Sequence, residues 1–261
     1  MTRETLFREN ELERLCVVLV NTRNPLNIGA AARAMSNFGF FRLRVVNPFE
    51  VAFREARSAV GAAPLLAQAK EFTSLDEAVA DCSLVVGTTA LSRRDPQHAV
   101  RDLQLGARLI RKRLGTGRVA LLFGSEKRGL SNEDLSHCHW LLSIPTREEH
   151  RSMNLGQAVA VCLYELARGP RSSFAPGKLE HATAGDLERL TCLLREALRG
   201  SDYMKGFQGH AKSRSAAPAE EKVRRLIRRM NLSGADAELL LGMLRQVLWK
   251  LETGSKTKLD K

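Results

Sequence analysis

The sequence predicts an α/β domain, a parallel sheet with helices on both faces, followed by a small all-helical C-terminal part. Three observations carry this. Short apolar, β-branched runs at 14–20, 83–87, 118–123 and 139–144 read as strands buried on both faces. Helical patterns separate them, the alternation expected of a parallel sheet. After residue 170 the strand signal stops and only helical patterns follow.

The elements follow in chain order. Residues 14–20 form the first strand. The Asn- and Pro-rich stretch 21–27 is a loop. Residues 28–38 suit a helix with Asn27 as N-cap and Gly39 as its stop. Residues 42–46 are a second strand, ended by Asn47-Pro48. Ser74 to Glu77 reads as a capping box for a short helix through Ala80. The strand at 83–87 runs into Thr88-Thr89. Residues 99–113 are helical, 118–123 form a strand, and Ser131 to Asp134 cap a short helix. A strand at 139–144 and a helix at 153–167 complete the domain, residues 1–170. Residues 171–182 are a linker, Gly-, Ser- and Pro-rich at its start. Helices at 183–199, 218–230 and 235–252 make up the extension 183–261, with Asp186, Pro218 and Asp236 near their starts.

The chain of 261 residues carries a net charge of +12. Residues 171–261 hold 18 basic and 11 acidic side chains, so the short tail has more than half of the excess. Such a balance points to nucleic acid, because Lys and Arg replace counterions on phosphates; a solvated basic surface is the plainer alternative. No apolar run is long enough for a membrane span. The charged residues 1–13 lack the apolar core of a secretory signal. Five scattered cysteines without a CxxC pair read as reduced and structural. A cytoplasmic protein is expected. His137-Cys138-His139 has metal-ligand residue types, but strand neighbours point to opposite faces. It reads as a strand entry, and no metal is expected.

Three segments stand out where strands run out. Residues 124–129 have the GxxxxG spacing of a phosphate loop, but Leu130-Ser131 follows in place of its Lys. No GxGxxG follows the first strand, which argues against a dinucleotide site. Taken singly, Arg33 could be a surface residue and Ser152 and Asn154 simple helix caps. As a set they form an ordered series: Asn27-x-Gly29-x-x-x-Arg33, then Phe123-Gly124-x-Glu126-x-x-Gly129-Leu130, then Ile144-Pro145 with Ser152-Met153-Asn154-Leu155.

This series resembles the three motifs of the SpoU branch of the SPOUT methyltransferases, over residues 14–168. The tail, with Arg224, Arg225, Arg228 and Arg229 and residues 241–246, is similar to the C-terminal helices of TrmJ-type tRNA methyltransferases. The resemblance implies a C-terminal trefoil knot, a rare exception to the no-knot rule, and a homodimer. It implies S-adenosyl-L-methionine as methyl donor and a ribose 2′-hydroxyl of RNA as acceptor, nucleotide 32 of the tRNA anticodon loop foremost. An rRNA target, or a non-catalytic RNA-binding protein of this fold, is the alternative. It assigns Asn27, Arg33, Glu126, Ser152 and Asn154 to catalysis. Thr88, Thr89, Leu122, Phe123, Gly124, Ile144, Pro145, Met153 and Asn154 would line the donor pocket. Arg33, Lys127, Arg128 and the four tail arginines would meet RNA. The family's Arg at position 33 has been cast as a base; since guanidinium stays protonated, holding a phosphate is the chemically simpler role. Glu126 is expected to orient it.

Overall fold

The computed structural model describes residues 12–48, 63–90, 97–168, 180–201, 203 and 219–259. The Gly-, Ser- and Pro-rich start of the expected linker, and most of the stretch between the first two tail helices, lie outside these residues. The sheet contains β1 (Leu15–Val20), β2 (Arg42–Val46), β3 (Lys70–Phe72), β4 (Leu84–Thr89), β5 (Val100–Asp102), β6 (Val119–Phe123) and β7 (Trp140–Ser143). Their order is β3-β2-β1-β6-β4-β7-β5, and every neighbouring pair is parallel.

Strand periodicity divides the core in two. Leu15, Val17 and Leu19 face one side of β1, where they join α1 (Pro25–Phe38), α2 (Ala63–Ala67), α4 (Leu103–Leu114) and α6 (Leu155–Arg168). Cys16, Val18 and Val20 face the other side, with α3 (Leu75–Val79), Leu130 and Cys138 near α5 (Asn132–Ser136), and Ala184. All five cysteines are free thiols, and four of them are buried.

Several elements differ from the sequence reading. Helix α1 starts three residues early. Asn24, not Asn27, is its N-cap and accepts from the Leu26 N–H at 3.0 Å, while Pro25 fills the first helical position, where no amide is needed. Gly39 does end it, with φ 78°. The pattern at 99–113 begins as β5, a three-residue edge strand beside β7; Asp102 then caps α4 by accepting from Leu105 N–H. Ser74 makes no side-chain cap bond, so the capping box expected there is not formed. Ser131 and Asp134 do form one.

The tail comprises α7 (Ala184–Gly200), α8 (Ala219–Arg229) and α9 (Gly234–Leu259). Asp186 closes a capping box with Thr183, and Asp236 bonds reciprocally with Ser233. The three helices share a small core of Leu187, Leu190, Ile227, Ala237 and Leu241. Helix α7 is also stitched to the turn between α3 and β4. Ala184 and Gly185 donate backbone N–H groups to Cys82 and Ala80 carbonyls at 2.7 and 2.8 Å.

Helix α8 corrects one expectation. Arg224, Arg225 and Arg228 do not form an outward row. Arg224 donates to both Glu188 oxygens at 3.1–3.3 Å and to Ser136 Oγ at 3.0 Å. Arg225 pairs with Glu221 at 3.6 Å. Arg228 is 1% exposed and lies 3.6 Å from Glu188. Their methylene stems fill the seam and their charges are answered internally. Only Arg229 of the four is exposed.

Two histidines share this seam. Burial, reinforced by Arg225 and Arg229, pushes the His98 imidazole down to about 4. Burial with Arg224 and Arg228 pushes His137 down to about 3, against the opposing pull of Asp76. Unfolded imidazoles take up protons below about 6.5. The unfolded chain therefore binds more protons than the folded one once pH drops through that value. The histidine contribution is full above about 6.5 and is lost progressively towards the folded values near 4 and 3. The urea midpoint should fall between pH 7.5 and pH 5, and a His98→Gln/His137→Gln variant should show a flatter profile. Equal slopes for the two proteins would remove the histidines from the account.

Candidate active site

Parallel strands bring their C-terminal ends to one edge, where open α/β sheets place ligands. Here β4 lies between β6 and β7, with Gly87 opposite Leu122 and Thr89 opposite Ser143. The ends of these strands, Thr88-Thr89, Phe123-Gly124 and Ser143-Ile144, are thus adjacent. Thr88 is pinned there, its hydroxyl donating to the Leu122 carbonyl at 2.8 Å. Leu122 and Phe123 are buried, Ile144 and Met153 are half-buried, and Pro145 is exposed.

The loop after β6 is tightly folded. Ser125 bridges to Gly129, whose N–H donates to the Ser125 carbonyl at 2.8 Å. Gly129 adopts φ +66°, which favours glycine. A Cβ on Gly124 would lie 2.1–2.4 Å from the Gly129 and Leu130 backbone. The motif glycines therefore serve a turn and a close backbone approach, and they leave Lys127 and Arg128 exposed at its tip.

Glu126 points back from this loop to the start of α1. Its carboxylate accepts from the N–H groups of Arg23 and Asn24, at 3.4 and 3.2 Å, and from Asn27 Nδ2 at 3.0 Å. These donors hold its pKa below the usual carboxylate range, against the opposing effect of burial. A carboxylate at a helix start also complements the helix dipole. Asn27 Oδ1 in turn accepts from Asn154 Nδ2 at 2.8 Å. Asn154 Oδ1 caps α6 by accepting from the Gly156 and Gln157 N–H groups at 2.9 and 3.3 Å.

One hydrogen-bonded chain thus joins the three motif segments, Glu126 to Asn27 to Asn154. The two bonded pairs lie 99 and 127 positions apart in sequence, so only the fold brings them together. The model of the SpoU rRNA Methylase family matches residues 14–164. The chain belongs to the SpoU methylase family. A curated tRNA (cytidine/uridine-2′-O-)-methyltransferase TrmJ from Sodalis glossinidius is 34% identical over 248 residues, covering 90% of this chain and 92% of that protein. The TrmJ of Photorhabdus laumondii is also 34% identical, over 90% of this chain and 97% of its own. Among solved structures, TrmJ from Z. mobilis superposes with a TM-score of 0.75 at 29% identity, covering 89% of this chain and 98% of that one. A methylase family protein from Neisseria gonorrhoeae superposes at 0.61 with 29% identity, covering 70% and 94%.

For a SpoU methylase, the placement of the remaining residues is informative. Arg33 is exposed on α1, nearly two turns beyond Asn27. The bonds of Glu126 go to the start of that helix, so Glu126 fixes the element that carries Arg33. Helices α1 and α6 meet closely: a Cβ on Gly156 would lie 2.5 Å from Ala30 Cβ. Ser152 is exposed just before α6. His139 is half-buried, and its Nδ1 accepts from the Val85 N–H at 3.1 Å; this is structural use of the His-Cys-His run. The sequence reading missed Asn24 as the helix cap, although Pro25 after it is the usual signal. Nor does any motif give a cue that the Arg23 N–H donates to Glu126.

Proposed function

We propose that this chain methylates a ribose 2′-hydroxyl in tRNA with S-adenosyl-L-methionine as donor, nucleotide 32 of the anticodon loop being the leading target. The observation that carries the reading is the Glu126–Asn27–Asn154 chain, which sets the three motif segments around one sheet edge. The names of the curated relatives support the choice of tRNA.

The donor fits what this edge offers. Ile144 and Met153 supply half-buried apolar surface, Leu122 and Phe123 are buried in the core and offer their backbone, and Thr88, Thr89 and Ser143 add hydroxyls, a lining suited to an uncharged adenosine. When bound, the donor supplies a methyl group on a sulfonium, a good leaving group. The protein must place the hydroxyl in line and help it lose its proton. In this reading, Ser152 and Asn154 place the ribose and the methionine end of the donor. Asn27 and Glu126 hold α1 in place. Arg33 grips the adjacent phosphate and stabilises developing negative charge, because a protonated guanidinium is a poor base.

The same reading includes a trefoil knot, a homodimer and a cytoplasmic location. The sheet order supports the knot: the chain leaves β6, passes beyond β4 to form β7, and returns through α6 to α1. The exposed side chains of Leu26, Phe41 and Tyr164, on or beside α1 and α6, support a subunit contact there. The tail from residue 183 is read as an extension packed on the methylase domain, with Arg229 as its RNA-facing cation among the four arginines of α8. Mass-spectrometric nucleoside analysis of tRNA and rRNA from a deletion strain tests the target. A 2′-O-methylated nucleoside missing from tRNA supports the proposal; its loss from rRNA alone favours the rRNA alternative.

A further inference from the structure

We propose that Arg23 is a phosphate-binding residue of this site, forming with Lys127 and Arg128 a cationic fork for RNA backbone phosphates beside the acceptor ribose. The proposal rests on the RNA-methylating reading above. Its basis is the way two loops are tied together. Glu126 accepts from the Arg23 and Asn24 N–H groups, which fastens the loop before α1 to the loop after β6. The Ser125–Gly129 bridge keeps that second loop in a fixed turn. Arg23, Lys127 and Arg128 are exposed at the joint, at the sheet edge where the motifs meet.

Charge makes the arrangement directional. Glu126 lies in the same loop as two of these cations, and its oxygens accept from two backbone amides and the Asn27 side chain. It ties the loops together without pairing with the cations through any of those bonds. The tail offers a contrast, since Arg224, Arg225 and Arg228 have carboxylate partners inside the seam. The fork therefore keeps cationic donors for a ligand where α8 has used them internally. Phosphodiester oxygens are the matching chemistry: spaced, singly charged and suited to guanidinium forks. Anchoring on fixed loops lowers the entropic cost of binding relative to flexible surface cations.

The test is tRNA binding by fluorescence anisotropy across a salt series, for wild type, Arg23→Ala and Arg23→Lys, with calorimetric donor titration and thermal melting in parallel. Arg23→Ala should bind tRNA roughly three- to tenfold more weakly near physiological salt, with a salt slope shallower by roughly 0.7–0.9. Arg23→Lys should recover most of that slope. Donor affinity and melting temperature should match wild type. If Arg23→Ala matches wild type in tRNA affinity and slope, the fork is wrong while the methylating reading stands. If Arg23→Ala melts early or loses donor binding, the residue is structural and the fork is again wrong. If the wild type shows no salt-dependent tRNA binding, both readings fall.

Discussion

Arg33→Ala should abolish methyl transfer while donor affinity and folding stay close to wild type. The side chain is exposed on α1, so its removal leaves no cavity. The buried face of that helix, Ile28, Ala31, Ala32 and Met35, is untouched. The proposed donor pocket is formed from other elements, the ends of β4, β6 and β7. In the proposed mechanism, what is lost is a cation on the helix that the Glu126–Asn27 clamp holds, set against the charge developing on the attacking oxygen. Removing such a partner costs on the order of 100-fold or more in turnover. Arg33→Lys should recover only part, because an ammonium cannot reproduce the planar, two-pronged grip. Single-turnover assays with saturating donor measure this directly. Near wild-type turnover in Arg33→Ala would remove Arg33 from the chemistry.

Glu188→Ala should be the most destabilising single change in the tail. Glu188 is the acid shared by Arg224 and Arg228, which are 12% and 1% exposed at the side chain. Among the described residues no hydrogen bond relieves the three Arg228 nitrogens, so Glu188 gives them their main compensation. Deleting it leaves two cations in a seam that water barely reaches. The cost of breaking a buried pair from one side is roughly 3–5 kcal/mol. Burial already holds the Arg228 guanidinium down at about 10, and its pull from Glu188 would be gone. The expected result is a lower urea midpoint and early protease cleavage within α8. A Glu188→Ala/Arg228→Met double variant should recover part of the loss, since an apolar chain of similar length tolerates the site. A midpoint within error of wild type would show that the seam does not support the tail.

Much of the fold was legible because parallel strands buried on both faces leave continuous apolar runs. β1, β4, β6 and β7 announce themselves in this way. β3 and β5 do not: each has three residues and lies at a sheet edge, with the charged Lys70 and Glu71 in one and Arg101 and Asp102 in the other. Too short for periodicity to register, they are defined by their neighbours. At the site, the motif residues could be listed from the sequence, but their connections could not. Asn27 was read as a cap, yet Pro25 shifts the helix start and frees its amide to bridge Glu126 and Asn154. The α8 arginines show the limit of charge counting. Net charge does not distinguish a cation facing solvent from one folded against Glu188, because that partner lies 36 positions away in sequence.

The central claim is that the joined motifs transfer a methyl group to a ribose oxygen. The most direct measurement uses the purified protein, tRNA and methyl-labelled donor, followed by nuclease digestion and nucleoside separation. The account predicts label in a 2′-O-methylated nucleoside, abolished in Arg33→Ala. Label on a nucleobase, or equal transfer by the Arg33→Ala protein, would contradict it.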